Sequence, residues 1–215
     1  MMIWLKYGVL ISFVFSVSLL SYLIMKTFSF GKQTLHSQAS GSWKRGVLYA
    51  FGRGMMPWEK DSARRHLITY GAGLLYHAGI LAALLGLFFS LFSAILPHLI
   101  TLILALVMVF ALLCGLGLLI KRAVLKHMRA ISSPDDYVSN ILVDIFLIFS
   151  ILNLLELPLQ RLWYFSAILL FLYIPLGKIK HCFFFFYTRF LFGSFFGRRG
   201  VYPHRTCHQL NKELK

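Results

Sequence analysis

The sequence predicts an all-α fold: an integral membrane bundle of five transmembrane helices, N-terminus outside and C-terminus cytoplasmic. Three observations predict it. Of the 215 residues, 59% are hydrophobic and 13% charged, about half the charge of a soluble domain. Lipid must therefore take up the apolar surface that no core of this size can hide. Five segments reach the roughly 20 apolar residues that a hydrocarbon core of about 30 Å requires. All but Lys6 and Arg161 of the 22 Lys and Arg fall in three stretches, Lys26 to Arg65, Lys121 to Arg129, and beyond Gly177. Positive residues stay cytoplasmic, which puts those stretches inside, and five crossings agree by placing the two ends on opposite sides.

The same composition excludes disorder, collagen-like repeats and a disulfide scaffold. Cys114, Cys182 and Cys207 form neither a stapled framework nor a C-x-x-C pair. A net charge of +15 suggests nucleic acid in a soluble protein. Here it reads as a topology signal plus attraction to anionic headgroups, and no nucleic-acid partner is expected.

The first span runs from about Ile3 to Met25. Its apolar stretch is too long for a cleavable signal peptide and no A-x-A-like site follows, so it is expected to be retained. Residues 26–66 form a cytoplasmic loop with Gly-Ser-rich stretches and the cluster PWEKDSARR. The second span runs from about Leu67 to Leu96, with small residues Ala72, Gly79, Ala83 and Gly86 suited to close helix packing. Pro97 opens the third, which ends near Ile120; the fourth runs from about Tyr137 to Leu157. The fifth begins after Pro158, near Leu162, and continues past Pro175 to Phe186, leaving 187–215 as a cytoplasmic tail. Neither loop nor tail is large enough for a catalytic domain of its own. Residues 1–215 therefore read as one membrane domain, whose chemistry lies in the bundle or comes from a partner.

Ionisable groups at membrane depth mark functional sites, so the eight histidines carry the search. His36, His204 and His208 lie in aqueous segments, His127 in the basic inner turn, and His98 at the outer turn. His77 sits within the second span, where no charge occurs between Arg65 and Lys121, and His181 closes the fifth. Gly73 precedes His77 by four residues and Gly177 precedes His181 by four. On a helix that spacing shares a face, and a glycine one turn from an imidazole leaves room for a flat macrocycle. Two imidazoles on different helices suit axial ligation of a haem iron. Without a C-x-x-C-H sequence the haem is non-covalent, a single haem b. His77 lies about 15 Å and His181 about 28 Å along their helices, so tilt and a long second helix are needed to level them. A second haem through His66 is the lesser reading.

The segments YHAGIL around His77, IKRAVLKHMRAISSPDDY after the third span, IPLGKIKH leading to His181, and FFGRRG resemble the gamma subunit of respiratory nitrate reductase. They also resemble the related membrane cytochromes of heterodisulfide reductases and sulfate-reducer redox complexes. The resemblance covers about Leu67 to Tyr202. It implies five helices, an outside N-terminus, and bis-histidine haem b between the second and fifth spans. Two-haem members carry a Gly-His pair where this chain has Gly86-Leu87, and a histidine where it has Trp163. Both departures belong to the outer haem. His77 and His181 match the inner one, and the outer quinol site is put in doubt.

The expected function is electron transfer in a bacterial or archaeal cytoplasmic membrane. A quinol or quinone exchanges electrons with the haem, which exchanges them with a cytoplasmic iron–sulfur subunit, beside other membrane or redox subunits. Lys121 or Arg122, and Arg189, sit near the inner boundary and suit the propionates. Quinone chemistry also needs proton exchange, for which Asp144, inside the fourth span, and the polar set at the outer end are the two candidates. Asn153, Glu156, Gln160 and Arg161 gather at the outer end near His98, with Glu156 and Arg161 expected to form an interfacial ion pair. The alternative is a non-redox scaffold or assembly subunit that keeps the fold. A transporter is disfavoured, because paired broken helices and a polar midplane are not evident.

Overall fold

The computed structural model describes residues 2–31, 38–94 and 96–203, and among them all regular structure is helical. Helix α1 is Met2–Phe28, α2 Trp43–Phe51, α3 Asp61–Arg65, α4 Leu67–Leu91 and α5 His98–Val124. Then come α6 Lys126–Ile131, α7 Pro134–Leu154, α8 Gln160–Tyr173 and α9 His181–Arg198. Four of these, α1, α4, α5 and α7, are long and apolar enough to cross a membrane, and α8 with Lys178–Arg198 makes a fifth if that broken pair is one span. Large apolar side chains face outward along them, Leu81 67% exposed and Leu113 60% exposed. Such a surface is compatible with a multi-pass membrane protein and not with water.

Helix boundaries follow local chemistry. Ser133 caps α7: its backbone N–H and hydroxyl both donate to Asp136, at 2.8 and 3.1 Å, and Pro134 occupies the first turn where its missing N–H costs nothing. The helix thus starts before the expected Tyr137. The second span is shorter than expected. Helix α4 stops at Leu91 because Ser93 adopts φ +54°. There the Lys6 ammonium donates to the Leu91 carbonyl at 3.3 Å and to Ser93 Oγ at 2.8 Å, satisfying an end the helix leaves open.

The fifth span differs most from expectation. It is not one helix from Leu162 to Phe186: α8 ends at Tyr173, a 3₁₀ turn occupies Lys178–Lys180, and α9 begins at His181. Pro175 is the cause, since it supplies no N–H to the helix and disfavours helical geometry at the residue before it.

The chain divides into two compact units, Met1–Tyr22 with Ile68–Lys180, and Leu23–Leu67 with His181–Lys215. In the first, Phe146, Leu147, Met108, Trp163 and Tyr164 centre a core that takes Val9 from α1 and Leu87 from α4. Gly79 of α4 faces the Ala111 methyl of α5 so closely that a Cβ would collide with it, as the small-residue pattern predicts. In the second unit, α2 lies against α9 backbone to backbone. A Cβ on Gly197 would lie 2.7 Å from Gly46 Cα, and one on Gly193 2.6 Å from Val47 Cα. A helix inside the expected loop 26–66 is itself new.

Candidate functional site

His77 lies in the middle of α4, on an exposed face. Its Nδ1 is 2.7 Å from the Gly73 carbonyl oxygen. A carbonyl only accepts, so Nδ1 carries the proton and, in the neutral ring, Nε2 carries the lone pair. A metal-binding histidine is held in the same way, one ring nitrogen donating to a carbonyl while the other faces the metal. A Cβ on Gly73 would meet nothing within 4 Å.

The matching arrangement at His181 is not formed. Gly177 precedes the 3₁₀ turn, not α9, so the two residues do not share an α-helical face. The space beside Gly177 holds the Tyr173 ring. That ring's hydroxyl donates to Asp135, whose other oxygen accepts the Lys178 N–H at 2.8 Å. His181 is the first residue of α9 and exposed. It belongs to the second unit and His77 to the first.

The three candidate propionate partners, Lys121, Arg122 and Arg189, each have another contact. Arg122 pairs with Asp136 at 2.6 Å, and Lys178 reaches the other oxygen of the same carboxylate at 2.6 Å. Lys121 donates to Thr69 at 2.7 Å. In the second unit the Arg189 guanidinium lies 5.5 Å from the centre of the Phe185 ring. Burial pushes the Lys60 ammonium below its usual range, and the charge of Arg189 adds to the effect.

His66 follows α3, His98 opens α5 and His127 lies in α6; His36, His204, His208 and Cys207 fall outside the described residues. Among the described residues no three His, Cys, Asp or Glu side chains gather as a metal site, a test that a two-histidine haem site would not meet either.

An open cavity of about 360 Å³ lies in the first unit, walled by Lys6, Ser90, Ser93, Asn153, Glu156 and Gln160. The expected polar gathering is therefore real, but His98 and Arg161 are not in its wall. Glu156 and Arg161 form no ion pair among the described residues. Glu156 stands instead at φ +60° just past the end of α7. Gly86 and Trp163 also line this cavity. Trp163 is 1% exposed, and its Nε1 donates to Ser150 Oγ at 2.8 Å.

One constellation had no sequence signal beyond the isolated Asp144. Tyr76 donates its hydroxyl to Asp144 Oδ1 at 2.8 Å, joining α4 to α7. The two residues are 68 positions apart, so no local spacing announces them. Comparison of the chain with protein-family models, with curated proteins and with solved structures finds no match.

Proposed function

We propose that the chain is a membrane-anchoring haem b subunit that passes electrons between the quinone pool and a cytoplasmic iron–sulfur subunit of a respiratory oxidoreductase. The observation that carries the reading is the Nδ1 bond of His77 to Gly73 beside open space. It occupies Nδ1 as a donor and leaves Nε2 as the ring nitrogen that would bind a metal. The segments shared in pattern with the nitrate reductase gamma subunit support the same reading. His77 and His181 would hold the group. Bound haem would supply one-electron exchange at its iron. The rest of the chain excludes water from the bundle and steers an acidic partner toward its basic inner segments. The distribution of Lys and Arg favours an outside N-terminus, and the resemblance to the nitrate reductase gamma subunit implies a bacterial or archaeal cytoplasmic membrane.

A second reading, a non-redox scaffold or assembly subunit, is favoured by the filled space beside Gly177 and by the engagement of Arg122 with Asp136. A reduced-minus-oxidised visible spectrum of the purified chain separates the two. Sharp low-spin b-type bands are expected, and lost in His77→Ala and in His181→Ala. A colourless preparation selects the scaffold. Bands that survive both substitutions remove the ligand assignment. Reduction of the haem by an added quinol tests the quinone step by itself.

A further inference from the structure

Asp144 is the central residue of α7 and is 4% exposed. Its Oδ1 accepts from Tyr76, whose hydroxyl also lies 3.4 Å from the Asn140 carbonyl. Its Oδ2 is buried with no hydrogen-bond partner among the described residues, and so are Asn140 Oδ1 and Ser139 Oγ. No cation stands within ion-pair distance of Asp144 among those residues.

Glycine shapes the space around it. A Cβ on Gly115 of α5 would collide with both the Tyr76 ring and the Asp144 carboxylate, so α5 presents bare backbone to the pair, with Cys114 half-buried beside it. Helix α8 contributes Ala167, Leu170 and Phe171 to the same core. Its buried Tyr164 is bonded to Ser90 at 2.7 Å. At the N-terminal end of α7, Asp136, two turns before Asp144, pairs with Arg122 of α5 and with Lys178 of the 3₁₀ turn.

An ionised carboxylate and an amide oxygen are both acceptors only. Asn140 and Asp144 are four residues apart on one helix face, and each carries a buried acceptor oxygen without a partner among the described residues. Burying such a charge unpaired is costly. One proton on Oδ2 removes that buried charge and turns the oxygen into a donor, on the face that carries Asn140 Oδ1, while Oδ1 goes on accepting from Tyr76. We propose that Asp144, Tyr76 and Asn140 form a proton-binding site inside the apolar bundle. The carboxylate takes one proton from water to become the acid and returns it, with no electron transferred. The site lies within one unit and needs no cofactor, so it stands apart from the haem reading.

The test uses the whole chain in proteoliposomes. In infrared pH titration, wild type gains a carboxyl carbonyl band that Asp144→Asn lacks. Tyr76→Phe keeps the band and moves it to higher frequency, because the carbonyl oxygen has lost its donor. Wild type alone gives a second measurement, independent of whether the variants fold. Dicyclohexylcarbodiimide adds whole to a protonated carboxyl: the acid proton goes to a carbodiimide nitrogen and the carboxyl oxygen bonds the central carbon. Mass spectrometry should locate that adduct at Asp144, at yields that fall as pH rises. An adduct only elsewhere, or a band that persists in Asp144→Asn, overturns the site. Labelling abolished by sodium ions at constant pH also overturns it, in favour of a metal cation.

Discussion

The two units solve one problem in opposite ways. In the first, long apolar helices meet through large side chains whose polar ends find each other: Trp163 with Ser150, Tyr76 with Asp144, Tyr164 with Ser90. In the second, α2 and α9 meet where neither has a side chain, at Gly46 against Gly193 and Gly197. Between helices in an apolar solvent burial supplies little, and association rests on packing and interhelical hydrogen bonds. The first unit uses both and the α2–α9 contact uses close packing. The comparison teaches that volume is critical in one unit and the absence of volume in the other.

The largest effect should come from Trp163→Ala. It removes a fully buried ring that stacks on Tyr164 at 5.6 Å and strips Ser150 Oγ of its donor. Loss of a buried Trp costs about 3–5 kcal/mol, readable as the shift in denaturant unfolding of the chain in detergent micelles. Trp163→Phe should recover most of it. A neutral Trp163→Ala would break the account of the first unit.

Gly46→Ala comes next, because the intruding methyl meets the Gly193 carbonyl and the Gly197 backbone, which cannot rotate away as a side chain does. Overpacking of this kind costs about 1–3 kcal/mol. Gly117 of α5 is the control, since a Cβ there meets nothing within 4 Å, and Gly→Ala in an open helix position stabilises by about 0.5–1 kcal/mol. Opposite signs for the same substitution sharpen the comparison. Equal signs erase it.

How much of this was legible in the sequence depended on sequence distance. The long apolar runs and Pro97 carried α1, α4, α5 and α7, because spans and helix starts are local signals. The break after Tyr173 was hidden by the apolar residues on both sides of Pro175, which made one run of what folds as two pieces. Helix α2 was hidden by the Gly and Ser residues around it, whose role is to let α9 approach. The His77 and Gly73 pairing was readable because both lie within one unbroken helix. The same four-residue spacing at Gly177 and His181 misled, because the helix assumed between them is absent. Tyr76 with Asp144, and Gly46 with Gly193, join distant segments, and no periodicity within either segment reports them.

The smallest effect is a pH dependence in the second unit. Tyr49 of α2 donates its hydroxyl to Glu59 Oε2 at 2.9 Å, while Arg53 holds Oε1 at 2.6 Å. Burial pushes the phenol up from 10.0 to about 12, and the Glu59 carboxylate, as hydrogen-bond acceptor and as charge, adds to it. The folded state therefore keeps a proton that the unfolded chain releases between those two values. The stability tied to this phenol is intact below pH 10 and is lost as pH rises toward 12. Wild type should lose stability faster than Tyr49→Phe across that window, by the slope of one proton, and Glu59→Gln should flatten the difference. Ultraviolet titration of the phenolate band gives the same quantity without unfolding. Parallel stability curves for wild type and Tyr49→Phe would mean that the bond to Glu59 does not hold the phenol's proton in the folded state.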